Sequence, residues 1–136
     1  MSHTLRFNHS LGVIVVRTND IVDVNELRAT FDELVDHSDF KEGLCLVVDF
    51  RGGETVLSAD DVRHLAQYAE HTDARWGQTK WLIIASDDLT YGLSRMFITL
   101  AERQQVTTHV FRNVTEAGDW LDLGINLRGI LASTPE

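Results

Sequence analysis

The chain has 136 residues, a length that suits one domain with its own hydrophobic core. Hydrophobic side chains make up 43% of the sequence, which excludes an intrinsically disordered chain. Twelve basic against 21 acidic side chains give a net charge of −9, which argues against binding to the backbone of a nucleic acid.

The first predicted elements are a β-hairpin and a helix. Thr4 to Phe7 and Gly12 to Thr18 are short β-rich runs separated by polar residues, so we expect an antiparallel pair with the first strand at an edge. Asp23 can cap the helix that follows. This helix has one apolar stripe, formed by Val24, Leu27, Phe31, Leu34 and Val35.

A buried strand and a second helix form the centre of the predicted fold. Residues Leu44 to Val48 are five consecutive apolar residues, a pattern typical of a strand that is covered on both faces. Ser58, followed three residues later by Asp61, predicts the N-cap of a long helix. The buried stripe of this helix is predicted to be Val62, Leu65, Ala66 and Ala69, and a connection is predicted from Ala74 to Gln78.

Two more strands, each followed by a helix, complete the predicted domain. The strand Lys80 to Ser86 precedes a helix capped by Asp87 or Asp88. The strand Val106 to Phe111 precedes a helix that begins at Asn113. The helix after Asp88 has a predicted buried stripe of Leu89, Leu93, Met96, Phe97 and Leu100.

The resulting order, β-β-α-β-α-β-α-β-α, predicts an α/β fold with a mixed, mostly parallel five-stranded sheet and helices on both faces. We expect residues 1–122 to form a single domain, and the sequence leaves the structure of the C-terminal tail, residues 123–136, open. Apolar side chains in the tail could pack on the domain or on a second subunit, so a homodimer is one expected assembly.

Four motifs in chain order resemble the SpoIIAA-like family of small bacterial proteins. Its fold is that of the STAS domains, which is related to the CRAL-TRIO lipid-exchange domains. The motifs are VVDFRG at Val47 to Gly52, LSADDVR at Leu57 to Arg63, SDDLTYGLSRMFITLAE at Ser86 to Glu102, and VFRNVTEAGDWL at Val110 to Leu121.

The resemblance implies a role for Ser58. STAS proteins that antagonise anti-sigma factors present a Ser or Thr at the start of the helix after the central strand, where a partner kinase phosphorylates it. By position, Ser58 would be this phosphoacceptor. The residue pattern itself gives Ser58 a second interpretation, as the N-cap of the helix.

Polar residues at the strand ends predict a ligand or partner surface. In open α/β sheets, ligands bind at the carboxyl ends of the strands, near the point where the strand order reverses. Tyr91 and Arg95 are four residues apart on a helix and can share one patch, although Arg95 could instead pair with Asp87 or Asp88. The candidate surface comprises Asp49, Arg51, Ser58, Ser86, Asp87, Asp88, Tyr91 and Arg95.

Catalytic and metal-binding patterns are missing from the sequence. His64 and His71 are seven residues apart, too far for the usual i, i+4 chelate on a helix. No Ser-His-Asp set or phosphate-binding loop can be assembled. We therefore expect a non-enzymatic protein with no metal and no cofactor.

The leading functional hypothesis is a STAS-type regulatory or protein-interaction module. Residues 20–61 carry twelve acidic and three basic side chains. If the first helix lies beside the helix that follows Ser58, the molecule has one acidic side, which either attracts a basic partner or is simply a solvated face. The alternative is a carrier or sensor of a small apolar or amphipathic, lipid-like ligand, held in a cavity between the sheet and the helix that contains Met96.

We expect a cytoplasmic protein that does not span a membrane. No stretch reaches the roughly 20 apolar residues of a membrane span, and no apolar run of signal-peptide length begins the sequence. The single cysteine, Cys45, lies in the predicted central strand and fits a reducing compartment.

Overall fold

A computed structural model describes residues 3–18, 21–121 and 125–132. Its strands are β1 (His3–Asn8), β2 (Val13–Thr18), β3 (Ile21–Val22), β4 (Cys45–Asp49), β5 (Glu54–Thr55), β6 (Lys80–Ile84) and β7 (Thr107–Phe111). Its helices are α1 (Val24–Val35), α2 (Ala59–Trp76), α3 (Asp88–Leu100), α4 (Val114–Leu121) and α5 (Ile125–Ala132).

The main sheet has five strands in the order β1-β2-β4-β6-β7. The edge strand β1 runs antiparallel to β2, and all other neighbours are parallel. Strand β4 is central, and its five residues are buried because both faces are covered. The predicted mixed, mostly parallel five-stranded sheet is therefore confirmed.

From β2 onward, each new strand of this sheet is added on the same side of the previous one, in the order β2, β4, β6 and β7. Because such crossovers are right-handed, α1, α2 and α3 share one face of the sheet, and α4 and α5 cover the other. The strand order of the described sheet contains no reversal. The switch point on which the predicted ligand site partly relied is therefore absent from the described part of the chain.

Each face of the sheet has its own core, because alternate residues of a strand point to opposite sides. Ile14, Leu46 and Trp81 lie in the core that α1 to α3 cover. Val15 and Val47 lie in the core that α4 and α5 cover. Thus the predicted helices on both faces are present.

The described part of the tail packs on its own domain. Helix α5 buries Leu127 and Leu131 against the sheet, in the same core as Val13, Val47 and Leu82. The sequence left open whether the apolar side chains of the tail pack on the domain or on a second subunit; Leu127 and Leu131 pack on the domain. Residues 123, 124 and 133–136 of the predicted tail lie outside the described residues.

Two local features differ from the prediction. Strands β3 and β5 pair in parallel, with Ile21 opposite Glu54, and form a separate two-stranded sheet. Two residues are too few to show any periodicity, so the sequence did not reveal them. Helix α2 continues to Trp76, beyond the connection predicted from Ala74, and ends at Gly77, whose φ of 66° suits glycine.

The predicted buried stripe of α3 is partly wrong. Leu89 and Leu100 are 61% and 40% exposed, whereas Thr90, Ser94 and Phe97 are buried. The Ser94 hydroxyl donates to the backbone carbonyl of Thr90 at 2.8 Å, so the hydrogen-bonding capacity of this buried hydroxyl is satisfied.

Among the described residues, no helix is both long enough and apolar enough to cross a membrane.

Candidate partner-binding site

The parallel strands β2, β4 and β6 end at one edge of the sheet, which we call the carboxyl edge, and α2 and α3 begin there. All the predicted site residues belong to segments at this edge. Among the described residues, no side-chain hydrogen bond or ion pair joins Ser58 or Arg95 to the other predicted site residues. The structure therefore joins only part of the predicted set.

Asp49 ends β4 as a buried carboxylate held by two arginines. Arg51 donates from Nε to Oδ1 and from Nη2 to Oδ2, both at 2.9 Å, in a fork. The side-chain hydrogen bond to Asp49 raises the pKa of Arg51. Arg17 Nε lies 3.5 Å from Oδ2, and Arg17 Nη2 donates to the carbonyl of Leu131. This cluster ties β2, β4 and α5 together, so Asp49 has a structural role.

The starts of α2 and α3 are capped by their own side chains. The exposed Ser58 accepts the Asp61 N–H at 3.1 Å, and the Asp61 carboxylate accepts the Ser58 N–H at 2.9 Å. The N-cap predicted at Ser58 is confirmed. Asp87 accepts the N–H of Thr90 at 2.8 Å, and this hydrogen bond lowers the pKa of Asp87. Carboxylates thus occupy both helix starts.

Arg112, which follows β7, organises the start of α3. Its guanidinium lies 4.2 Å from the centre of the Tyr91 ring and pairs with Asp88 at 2.6 Å. Arg95 is exposed and forms no ion pair with any described residue, so the predicted alternative pairing with Asp87 or Asp88 is not observed. Ser86, just before these residues, is exposed.

The carboxyl edge also exposes three apolar side chains. Ile21 and Val56 are 55% and 47% exposed, and Leu89 of the first turn of α3 is more exposed still. The backbone N–H of Val56 donates to the carbonyl of Val22, which holds these segments together. Sequence reasoning missed Ile21 and Val56 and assigned Leu89 to the core.

A small apolar cavity lies between the sheet and α3. Its volume is about 50 Å³, and its lining includes Val48, Ile83, Leu93 and Phe97. Pockets for small organic ligands usually measure about 300–1,000 Å³. A lipid-sized ligand does not fit this conformation.

The predicted acidic side is partly neutralised. Helices α1 and α2 pack side by side, and Arg75 of α2 pairs with Asp36 and lies 3.8 Å from Asp32. The hydroxyl of Tyr68 also donates to Asp32, at 2.8 Å. In the described ranges, no group of three histidine, cysteine, aspartate or glutamate residues could hold a metal ion.

Comparison with solved structures reveals the class of fold. The chain is similar to an uncharacterised protein of the DUF3478 family from Shewanella loihica PV-4, whose crystal structure is described as having a SpoIIAA-like fold. The TM-score is 0.54 at 12% identity, and the match covers 88% of this chain and 91% of the Shewanella chain. No protein-family model and no curated protein matches significantly. The protein has the SpoIIAA-like fold that the resemblance implied; at this identity the likeness concerns the fold and not the function.

Proposed function

We propose that the protein is a non-enzymatic interaction module that binds a protein segment at the carboxyl edge. The observation that carries this proposal is the exposure of Ile21, Val56 and Leu89 at one edge of the molecule. Single exposed apolar side chains are common, whereas contiguous apolar patches are typical of interaction sites, and we infer that these three side chains contribute to one such patch. The predicted polar residues of the same edge supply its rim.

Charge complementarity defines the partner. Glu54 is exposed two residues before Val56, Asp60 and Asp88 are exposed although they pair with Arg63 and Arg112, and the whole chain has a net charge of −9. A partner segment with apolar side chains flanked by Lys or Arg matches this surface and associates faster at low salt. A strongly acidic segment does not match it.

The test compares two sets of exposed apolar residues. Ile21→Ser, Val56→Ser and Leu89→Ser are combined in one variant, and the matched control combines Leu11→Ser with Leu100→Ser at the opposite edge. Partners are recovered from a lysate of the native host, and the affinity of each purified partner is measured by calorimetry. We expect the carboxyl-edge variant to bind at least about tenfold more weakly and the control to match the wild type. Equal binding by both variants would contradict the proposal.

The polar rim and Ser58 extend the proposal. We expect a variant with Arg51, Ser58 and Tyr91 replaced together to lose the same partner. Phosphorylation of Ser58 would add about two negative charges next to Asp61 and so regulate binding. Phosphopeptide mapping of protein from host cells checks this, and a phosphate found only at other residues would contradict it.

The apolar cavity under α3 supports a second candidate, a carrier of a small apolar ligand. Its volume of about 50 Å³ limits such a ligand to a few heavy atoms unless α3 moves. Native mass spectrometry of protein from its host separates the two functions. A carrier arrives with a bound small-molecule mass, whereas an interaction module arrives with the mass of the chain or of a protein complex.

A further inference from the structure

A second polar cluster lies at the opposite edge of the sheet, where β6 and β7 begin; we call it the amino edge. Asp73, near the end of α2, accepts the backbone N–H groups of Gln104 and Gln105 at 2.9 Å and of Val106 at 3.1 Å. It also accepts Nε of Arg103 at 3.2 Å. One buried carboxylate therefore holds residues 103–106 of the connection between α3 and β7, and Glu70 accepts the N–H of Glu102 at 2.9 Å.

Only one of the three guanidinium nitrogens of Arg103, Nε, forms a hydrogen bond with Asp73. Its side chain is 3% exposed and lies over the Trp81 ring, 4.2 Å from the centre. Its Nη1 and Nη2 atoms are buried without a hydrogen-bond partner among the described residues, as is the hydroxyl of Thr108. Thr108 lies directly across from Trp81 in the sheet. Unsatisfied donors thus gather around Trp81.

The charge of Arg103 is retained at neutral pH. Burial lowers the pKa of Arg103 to about 10, while the neighbouring Asp73 opposes the shift. The three backbone N–H groups already stabilise the Asp73 carboxylate, so Arg103 can serve a second anion. Buried donors without an acceptor are costly and rare in folded proteins, which indicates an acceptor of matching shape. The planar guanidinium fork matches a carboxylate.

A cavity adjoins the residues that carry these donors. Its volume is about 170 Å³, and it is lined by Arg103 and Thr108 together with the apolar residues Phe97, Ile98, Ala101 and Val106. A cavity of about 150 Å³ lined by apolar side chains is large enough to bind benzene. The cavity can therefore hold a small apolar moiety that is attached to the carboxylate bound by Arg103.

The geometry points to a binding site for a small monocarboxylate at the amino edge. On binding, the Arg103 and Thr108 side chains turn toward the cavity, because the Nη atoms and the hydroxyl have almost no exposed surface without a ligand. They then donate hydrogen bonds to the carboxylate, and the apolar body packs against Phe97 and Val106. This ligand class is separate from the protein partner proposed above, because the two sites lie at opposite edges of the sheet. Each can fail without the other.

The first test compares matched ligands on the full chain. Sodium benzoate, its neutral analogue benzamide and inorganic phosphate are titrated by calorimetry, and binding is mapped by NMR of the Trp81 indole N–H. We expect saturable benzoate binding at least about tenfold tighter than that of benzamide, because only benzoate accepts charge-assisted hydrogen bonds. Phosphate, which lacks an apolar body, is expected to bind more weakly than benzoate. If benzoate shows no saturable binding up to about 50 mM, water is the sole acceptor in the cavity and the proposal is overturned.

The second test uses variants of the donors. Thr108→Val removes the hydroxyl while keeping the shape, and Thr107→Val, on the exposed side of the same strand, is the matched control. We expect Thr108→Val to weaken benzoate binding by about fivefold or more and Thr107→Val to leave it unchanged. Arg103→Lys keeps the charge but not the fork, and we expect it to weaken binding at least about tenfold. Equal affinities of Thr108→Val and wild type, or of benzoate and benzamide, overturn the proposal even if Arg103→Lys fails to fold.

Discussion

Two buried carboxylates, Asp49 and Asp73, hold loops at opposite edges of the sheet. Asp49 is paired with Arg51 and Arg17 next to solvent, whereas Asp73 is paired with an arginine that is itself buried. Removing one member of a buried pair leaves the other charge unpaired, which costs more than the pair contributes. Of these two carboxylates, Asp73 is therefore the one whose substitution should be more harmful.

We predict that Asp73→Asn destabilises the protein by about 3 kcal/mol at pH 7, as measured by urea unfolding. Burial alone would raise the pKa of Asp73, but hydrogen bonds from Gln105, Gln104 and Val106 and the charge of Arg103 together lower it. Because this pKa is lower in the folded state, the stabilisation is present above the unfolded value near 4 and is lost as the pH falls through the folded value.

The difference between wild type and Asp73→Asn should therefore shrink when unfolding is repeated below about pH 4. Asp119→Asn, at an exposed position of α4, is the control, and we expect it to leave stability within about 0.5 kcal/mol at neutral pH. A difference between wild type and Asp73→Asn that stays constant from pH 7 to acid would contradict the assigned role of the carboxylate.

Cys45 is predicted to be unreactive in the folded protein. Burial raises the pKa of its thiol to about 12, although the nearby charge of Lys80 acts in the opposite direction. Since the thiolate is the reactive form, a disulfide reagent at pH 8 should modify the native protein slowly and the urea-unfolded protein completely. Rapid modification of the native protein would show that this part of β4 opens to solvent.

At the scale of elements, the strands were easier to predict than the helix faces. The five apolar residues at Leu44 to Val48 predicted β4 to within one residue, because a short apolar run without alternation is typical of a strand with both faces covered. In α3, apolar residues surround the helix, so periodicity alone could not show that Leu89 faces solvent. Packing against α2 and the sheet selects the buried side, and the sequence does not contain that geometry.

The polar clusters were predictable only where the residues are close in sequence. The fork between Asp49 and Arg51 joins residues two apart, and the Ser58 cap follows from local helix chemistry. The stacking of Arg112 on Tyr91 and the pairing of Arg103 with Asp73 join residues 20 to 30 positions apart. Asp73 does carry a signal, because it lies four residues after Ala69 and continues the buried stripe of α2.

Helix α5 offers the sharpest test of an element, because the sequence left its position open. We predict that Leu127→Ala lowers the free energy of unfolding by about 3 kcal/mol, since this fully buried side chain fills the core beside Val47 and Leu82. Arg128→Ala, on the exposed side of the same helix, should change it by less than about 0.5 kcal/mol. If Leu127→Ala and Arg128→Ala changed the free energy of urea unfolding by the same small amount, α5 would not be packed on the sheet.

At the scale of the whole molecule, the two faces of the sheet are covered unequally by the chain. Three helices cover one face, and α4 and α5 cover the other. Among the described strands, β1 and β7 each have one neighbour, so both have an unpaired edge. The homodimer expected from the sequence stays a prediction, and light scattering across a range of protein concentrations checks it.

The contacts of α5 predict that residues 3–132 unfold as one cooperative unit. Leu127 and Leu131 share a core with side chains of β2, β4 and β6, and Arg17 joins the end of α5 to Asp49. Far-UV circular dichroism and tryptophan fluorescence should therefore follow the same urea transition. A chain limited to residues 1–122 should lose about 3–6 kcal/mol and bind a hydrophobic dye, because the two leucines no longer cover the sheet. An unchanged unfolding midpoint in the shortened chain would show instead that the first 122 residues are sufficient for the fold and that α5 contributes little to its core.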